Sequence, residues 1–96
     1  MLVVIDGLLV RSEADLHEAL ARVLDFGPYY GRNLNALWDR LSTDVERPVE
    51  LVWQHSAASK EAMGAEVFEK ISSLLVRVME QDESFGLEER LTLRFE

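Results

Sequence analysis

Three short runs of apolar residues along the chain have the length and spacing of β-strands. The first, residues 2–5, is continuously apolar and ends at Asp6-Gly7, a pattern typical of a strand that is covered on both faces. Residues 49–53 predict a second strand, and residues 91–95 alternate apolar and polar side chains as an edge strand does. We therefore expect strands at the start, in the middle and at the end of the sequence.

Between these runs, apolar residues recur every three or four positions, the spacing that places them on one face of an α-helix. This spacing predicts four helices, near residues 13–24, 34–43, 56–63 and 65–81. Ser12 and Asp15 form a capping-box pattern, while Asn33 and Ser56 are suitable N-caps for the second and third helices. The polar stretch 81–90 is expected to be a loop.

The alternation of strands and helices predicts the fold class. Helical segments long enough to cross over between parallel strands are typical of an α/β domain. The chain of 96 residues has the length of one domain, which we place at residues 1–96. We expect a three-stranded parallel sheet packed with about four helices.

The overall charge narrows the classes of partner. The sequence has 18 acidic and 10 basic residues, which gives a formal net charge of −8. This balance argues against direct binding of nucleic acid or of an anionic membrane, because both require a basic surface. It is compatible with a basic protein partner, although many soluble proteins are acidic for solubility alone. Since cysteine, a secretion-signal pattern and a long apolar segment are all absent from the sequence, we expect a cytoplasmic protein.

Residues that could carry catalysis are sparse. The two histidines, His17 and His55, do not stand at metal-ligand spacing with each other or with a carboxylate, and no serine lies in a Gly-x-Ser-x-Gly turn. A glycine-rich phosphate loop is also absent from the sequence. The acidic pairs at 82–83 and 88–89 lie in a polar stretch, where solvated loop charge is the simpler interpretation. We therefore expect no enzymatic activity, no metal, no cofactor and no small-molecule substrate.

One segment, residues 27–39, concentrates aromatic side chains, since it contains both tyrosines and one of the two tryptophans. On the helix that follows, leucines occupy one face, and the other face carries, at positions i, i+3, i+4 and i+7, Asn35, Trp38, Asp39 and Ser42. Aromatic anchors beside a few polar groups are typical of protein interfaces. The alternative, in which the tyrosines and Trp38 are core residues and Asp39 is plain surface, is left open by this pattern.

The same segment resembles a family signature. The pattern Tyr29-Tyr30-Gly31-x-Asn33-Leu34-x-Ala36-Leu37-Trp38-Asp39-x-Leu41 is similar to that of the barstar family, intracellular inhibitors of the ribonuclease barnase. Further similar stretches are Ile5-x-Gly7, Arg11-Ser12-x-x-Asp15-Leu16-His17, Trp53, Ser59-Lys60 and Gly64-Ala65-Glu66. The resemblance implies the barstar-like fold and a protein partner that is a basic ribonuclease or a related nuclease toxin, from which the inhibitor protects its host.

The family also implies a mechanism. In barstar-like inhibitors, the second helix and the loop before it plug the nuclease active site, and a helix carboxylate occupies the place of a substrate phosphate. The resemblance assigns this carboxylate to Asp39, since a carboxylate accepts bidentate hydrogen bonds from arginine as a phosphate does. The partner-binding residues expected within 29–46 are Tyr29, Gly31, Asn33, Asn35, Trp38, Asp39, Ser42, Asp44 and Glu46.

The charges around this plug depart from the family pattern. Position 35, acidic in the family, is Asn35 here, and Arg32 and Arg40 add positive charge beside the plug. Asp44 and Glu46, just after the helix, are candidates to compensate. These differences favour a nuclease other than barnase as the partner, or a weaker acidic contribution from this face. They also support an alternative hypothesis, a barstar-fold interaction or regulatory module with no nuclease target. An unrecognised enzyme site is the third hypothesis.

Overall fold

A computed structural model describes residues 1–96 and contains three β-strands and four α-helices. Their order is β1 Leu2–Asp6, α1 Glu13–Leu24, α2 Leu34–Asp39, a π-helical segment Arg40–Asp44, β2 Val49–Gln54, α3 Ser56–Met63, α4 Ala65–Ser84 and β3 Leu91–Phe95. The predicted α/β class, with a three-stranded parallel sheet and four helices, is confirmed. The longest of these helices, like the others, is too short in its apolar stretch to cross a membrane.

The sheet has β2 at its centre, with β1 and β3 parallel to it at the two edges. Successive side chains point to opposite faces, so one face carries two rows of apolar residues, Val3–Leu51–Leu93 and Ile5–Trp53–Phe95. Most members of these rows lie in one core cluster together with leucines of α1 and α4. The helices that hold the candidate site are therefore packed, through the core, on this face of the sheet.

The environment of β1 differs from the prediction that it is covered on both faces. Val3 and Ile5 are buried, but Leu2 and Val4 are 60% and 43% exposed. The open face of the sheet carries these two side chains and several polar ones, and on that face only Val52, at the centre, is buried. The prediction is wrong because β1 is an edge strand whose outward apolar residues remain in contact with water, a situation that a continuous apolar run does not reveal.

The starts of α1 and α3 are fixed in different ways. Ser12 caps α1 as predicted, since its Oγ accepts a hydrogen bond from the backbone N–H of Asp15 at 3.1 Å. The prediction that Ser56 caps α3 is wrong, because Ser56 is the first helical residue and the N-cap is His55, in the left-handed conformation with φ 52°. The Ser56 hydroxyl instead donates to the carbonyl oxygen of Glu96 at 3.1 Å.

The last helix, α4, continues past its predicted end and includes the beginning of the expected loop. It extends to Ser84, and Asp82 near its end is only 3% exposed. The interpretation of Asp82 as solvated loop charge is therefore wrong. Its carboxylate accepts hydrogen bonds from Arg47 at 2.7 and 3.1 Å and from the backbone N–H of Leu91 at 2.7 Å. Because Arg47 lies 35 residues earlier in the chain, the polar local sequence gives no sign of this burial.

Candidate protein-binding site

The loop between α1 and α2 holds its two tyrosines in opposite environments. Tyr30 is buried, and its ring centroid lies 4.8 Å from that of Phe26. Its hydroxyl is 2.6 Å from Nδ1 of His17, and burial raises the pKa of Tyr30 to about 12. Tyr29 is 92% exposed. The loop therefore anchors one aromatic ring in the core and leaves the adjacent ring free to contact a partner.

Both histidines hold structural positions. His17 is buried on α1, with Nδ1 facing the Tyr30 hydroxyl and Nε2 2.9 Å from a carboxylate oxygen of Glu13, so both ring nitrogens are engaged. His55 is exposed and forms the N-cap of α3. No group of three or more His, Cys, Asp or Glu side chains in the protein is placed to hold a metal ion. His17 therefore supports the loop through Tyr30, and His55 occupies the turn between β2 and α3.

Hydrogen bonds of Asn33 connect the loop to the first turn of α2. Asn33 is the N-cap, as predicted, and its Oδ1 accepts a hydrogen bond from the backbone N–H of Ala36 at 2.8 Å. Its amide also donates to the carbonyl oxygen of Gly31 at 3.4 Å. A β-carbon on Gly31 would lie 3.3 Å from the methyl group of Ala36, so glycine lets the loop pass close to the first turn of α2. The capping role of Asn33 fixes the direction in which α2 leaves the loop.

The end of α2 differs from the predicted single α-helix over 34–43. The α-helix ends at Asp39, and residues Arg40–Asp44 form a π-helical segment. The Ser42 hydroxyl donates to the carbonyl oxygen of Trp38 at 2.6 Å, and the Thr43 hydroxyl donates to that of Asp39 at 2.5 Å. These side chains satisfy carbonyl groups that a continuing α-helix would pair with backbone N–H groups. Short π-helical segments occur frequently at functional sites.

The polar face of α2 presents its predicted residues in different ways. Asn35 and Asp39 are exposed, Trp38 is half-buried against the core, and Ser42 is half-buried with its proton directed at a carbonyl oxygen. The Asp39 side chain makes no ion pair and no hydrogen bond within the protein; only its backbone carbonyl is engaged. The structure thus places an unpaired carboxylate next to a tryptophan that the core holds in position.

The two arginines beside α2 each lie close to an acidic side chain of the same protein. Arg32 pairs with Glu18 of α1. Arg40 lies 3.7 Å from the Asp44 carboxylate and covers the ring of Phe26 at 5.6 Å. Their positive charges are therefore offset by neighbouring acids, and Asp44 is less available as compensating negative charge for a partner. Glu46, the other candidate, is exposed and forms no ion pair.

Arg47, which the sequence analysis did not single out, organises the segment after the π-helical turn. Besides its bonds to Asp82, it donates to the carbonyl oxygens of Val45 and Leu41, each at 2.8 Å. Burial by itself would raise the pKa of Asp82, but hydrogen bonds from Arg47 and from the Leu91 N–H, with the Arg47 charge, hold it below its usual value. This buried ion pair joins the end of the candidate site to α4 and β3.

Comparison with known proteins identifies the family. A family model described as "Barstar (barnase inhibitor)" matches residues 1–94. The chain belongs to the barstar family. A protein of Bacillus subtilis (strain 168) named "Putative ribonuclease inhibitor YrdF" is 41% identical to it over 63 residues, which cover 66% of this chain and 69% of that protein. The resemblance based on the signature around Tyr29 to Asp39 is thereby confirmed at the level of the barstar family.

Proposed function

We propose that this barstar-family protein inhibits a ribonuclease by inserting the loop at 27–33 and helix α2 into the enzyme's active site. The description of the family and the name of the Bacillus subtilis relative support a ribonuclease as the partner. The single observation that carries the proposal is the Asp39 carboxylate, which is exposed and has no internal partner. Asp39 follows Trp38 directly on α2, and the loop before this helix carries the exposed ring of Tyr29, so two aromatic side chains of the same segment are available for contact.

In this proposal, Asp39 takes the place of a substrate phosphate. A ribonuclease active site offers cationic side chains that bind phosphate, and an unpaired carboxylate accepts charge-assisted hydrogen bonds from the same groups. Because the Asp39 carboxylate makes no hydrogen bond within the protein, binding breaks none. The new hydrogen bonds to the enzyme therefore have to offset only the loss of water from the carboxylate. The net charge of −8 steers the protein toward a basic enzyme over longer distances.

The other proposed contact residues provide contact surface for the enzyme and allow the backbone of the loop to come close to it. Tyr29 projects from the loop with most of its surface free, and Trp38 adds the exposed part of its ring. Gly31 and Asn33 shape the loop so that its backbone can come close to the partner. Asn35 contributes a neutral amide that can donate and accept. The remaining candidates, at the far end of the site, are Ser42, Asp44 and Glu46.

The protein acts in this account as a stoichiometric plug, with no cofactor and no chemistry of its own. The alternative of an interaction module without a nuclease target draws support from Asn35, Arg32 and Arg40. Glu18 and Asp44 lie close to Arg32 and Arg40 and partly offset their charges, which weakens the support from the arginines but not that from Asn35.

Inhibition kinetics test the proposal. Small basic bacterial ribonucleases, barnase among them, are titrated with the protein while cleavage of a fluorogenic oligonucleotide is followed. We expect at least one enzyme to be inhibited at a one-to-one ratio, with inhibition relieved by excess RNA substrate. If no ribonuclease is inhibited, or if inhibition is independent of RNA concentration, the active-site plug is wrong.

A further inference from the structure

A cleft opens between α2 and α4, next to the exposed face of Asn35. It has a volume of about 420 Å³ and is lined by Leu34, Asn35, Trp38, Lys70, Leu74 and Arg77. We propose that this cleft receives an acidic side chain of the inhibited ribonuclease, so that the interface pairs charges in both directions. This inference rests on the proposed function and specifies the chemistry of the partner surface beside its active site.

Arg77 carries the strongest part of the argument. Its guanidinium carbon lies 5.0 Å from the ring centroid of Trp38, an arrangement in which the indole attracts the cation. Arg77 is exposed and forms no ion pair and no hydrogen bond within the protein. The stacking therefore orients the planar group, while its N–H donors remain unsatisfied by protein atoms. A carboxylate is the side chain that matches this fork with two parallel hydrogen bonds.

Lys70 adds a second positive charge to the same wall of the cleft, because it stands seven positions before Arg77 on α4. Its only ion pair is with Glu66, at 3.6 Å, and the side chains of Lys70 and Glu66 are 63% and 86% exposed. Exposed pairs of this kind hold their partners weakly. The Lys70 ammonium group is therefore free to exchange Glu66 for a carboxylate that is buried in an interface.

The sign of the charge identifies the occupant. A wholly basic partner surface would be repelled where it faced Arg77 and Lys70, and like charges opposed across an interface reduce affinity. An acidic residue of the partner removes this repulsion and satisfies the arginine donors. Nucleic acid is the less suitable occupant, because the unpaired carboxylate of Asp39 follows Trp38 directly and the protein has a net charge of −8.

Charge reversal at Arg77 tests the inference in the complex with the ribonuclease of the panel that is inhibited most strongly. Arg77→Ala should weaken binding about tenfold and Arg77→Glu about 100-fold, as expected for loss and then reversal of a partly buried interfacial ion pair. Arg22→Glu, at an exposed position of α1, is the matched control with the same change in net charge. It should alter affinity about twofold at most, through long-range steering alone. Circular dichroism confirms that each variant is folded.

Carbodiimide cross-linking provides a second, direct readout. The reagent joins an amine to a carboxylate only when the two groups are in contact, and the sequence contains two lysines. Mass spectrometry of the complex should find Lys70 joined to an aspartate or glutamate of the ribonuclease. Lys60, which lies over the ring of Phe68 on α4, serves as the internal control and should not be joined to the enzyme.

The outcomes separate the inference from the proposed function. If Asp39→Ala weakens binding while Arg77→Glu leaves it unchanged or tightens it, or while Lys70 forms no cross-link, the acidic partner residue is wrong and the inhibitor function stands. If no ribonuclease is inhibited, both are wrong. If the isolated protein binds an RNA oligonucleotide and Arg77→Glu abolishes that binding, the cleft binds phosphate, and the inference is overturned in favour of nucleic acid.

Discussion

Replacing Asp82 by alanine should destabilise the protein far more than replacing the adjacent acidic residue, Glu83. Asp82 is buried and joins Arg47, whose side chain is only 13% exposed, to the backbone N–H of Leu91. Without the carboxylate, the guanidinium is left in a largely dry environment with no opposite charge, and the Leu91 N–H loses its acceptor. Glu83 is exposed and forms no ion pair, so it is the matched control for the change in charge.

The magnitude follows from the geometry. Removing one partner of a buried ion pair costs about 3–5 kcal/mol, because the other charge remains buried. Arg47 keeps two carbonyl acceptors, at 2.8 Å each, so we expect the lower end, about 3 kcal/mol. Asp82→Asn keeps the shape and one acceptor oxygen and should cost about 2 kcal/mol. A domain of this size has a total stability of about 5–15 kcal/mol, so either loss is readily measured.

Urea unfolding at a series of pH values is the assay. Because the pKa of Asp82 in the folded state lies below its ordinary value of 3.8, its stabilisation is present above that pH and is lost as the pH falls through the folded-state pKa. The difference in unfolding free energy between the wild type and Asp82→Asn should therefore be largest near neutrality and shrink in acid. Equal unfolding free energies for Asp82→Ala and Glu83→Ala at pH 7 would refute the reasoning.

Three further predictions concern the loop and the sheet. In a Tyr29→Phe variant, Tyr30 is the sole tyrosine, and its absorbance titration should have a midpoint near pH 12. The contribution of Tyr30 to the unfolding free energy is full below pH 10 and is lost as the pH rises toward 12. A titration midpoint at pH 10 would contradict the burial of this side chain. Tyr29→Ala should weaken binding of the inhibited ribonuclease at least about tenfold by calorimetry. Its unfolding temperature should stay unchanged, and a large drop would mean that Tyr29 packs in the fold. Gly7→Ala should lower the unfolding free energy by about 3 kcal/mol or more in urea, because the new β-carbon would overlap the carbonyl oxygen of His55. A loss below about 1 kcal/mol would show that the ends of β1 and β2 can separate.

Periodicity was sufficient to predict the three strands and four α-helices in their order, but not the π-helical segment Arg40–Asp44. The spacing of apolar residues placed α1 at its observed bounds, and each connection between strands was long enough for the helical crossover that parallel pairing requires. Two of the errors, at Asp82 and Ser56, involve a partner that is distant in the sequence. The Asp82 carboxylate is buried against Arg47, which lies 35 residues earlier, and the Ser56 hydroxyl bonds the carbonyl oxygen of Glu96, 40 residues later.

The candidate site was less predictable than the fold. Tyr29 and Tyr30 are adjacent in a loop without periodicity, so the sequence does not separate the exposed ring from the buried one. The pairing of Arg40 with Asp44 could have been predicted from their spacing of four residues on a helix. The stacking of Arg77 on Trp38 depends on how α4 packs beside α2, which the sequence pattern alone does not specify.

The central claim, that the Asp39 carboxylate binds the phosphate site of a ribonuclease, is tested most directly by calorimetric titration of the inhibited enzyme with Asp39→Ala. The account predicts affinity at least about 100-fold lower than that of the wild type, because two charge-assisted hydrogen bonds contribute about 1.5–3 kcal/mol each. Glu61→Ala, an exposed change of the same charge on α3, should bind like the wild type. The unfolding free energy of Asp39→Ala should stay within about 0.5 kcal/mol of the wild type. Equal affinities of Asp39→Ala and the wild type for the enzyme would contradict the account.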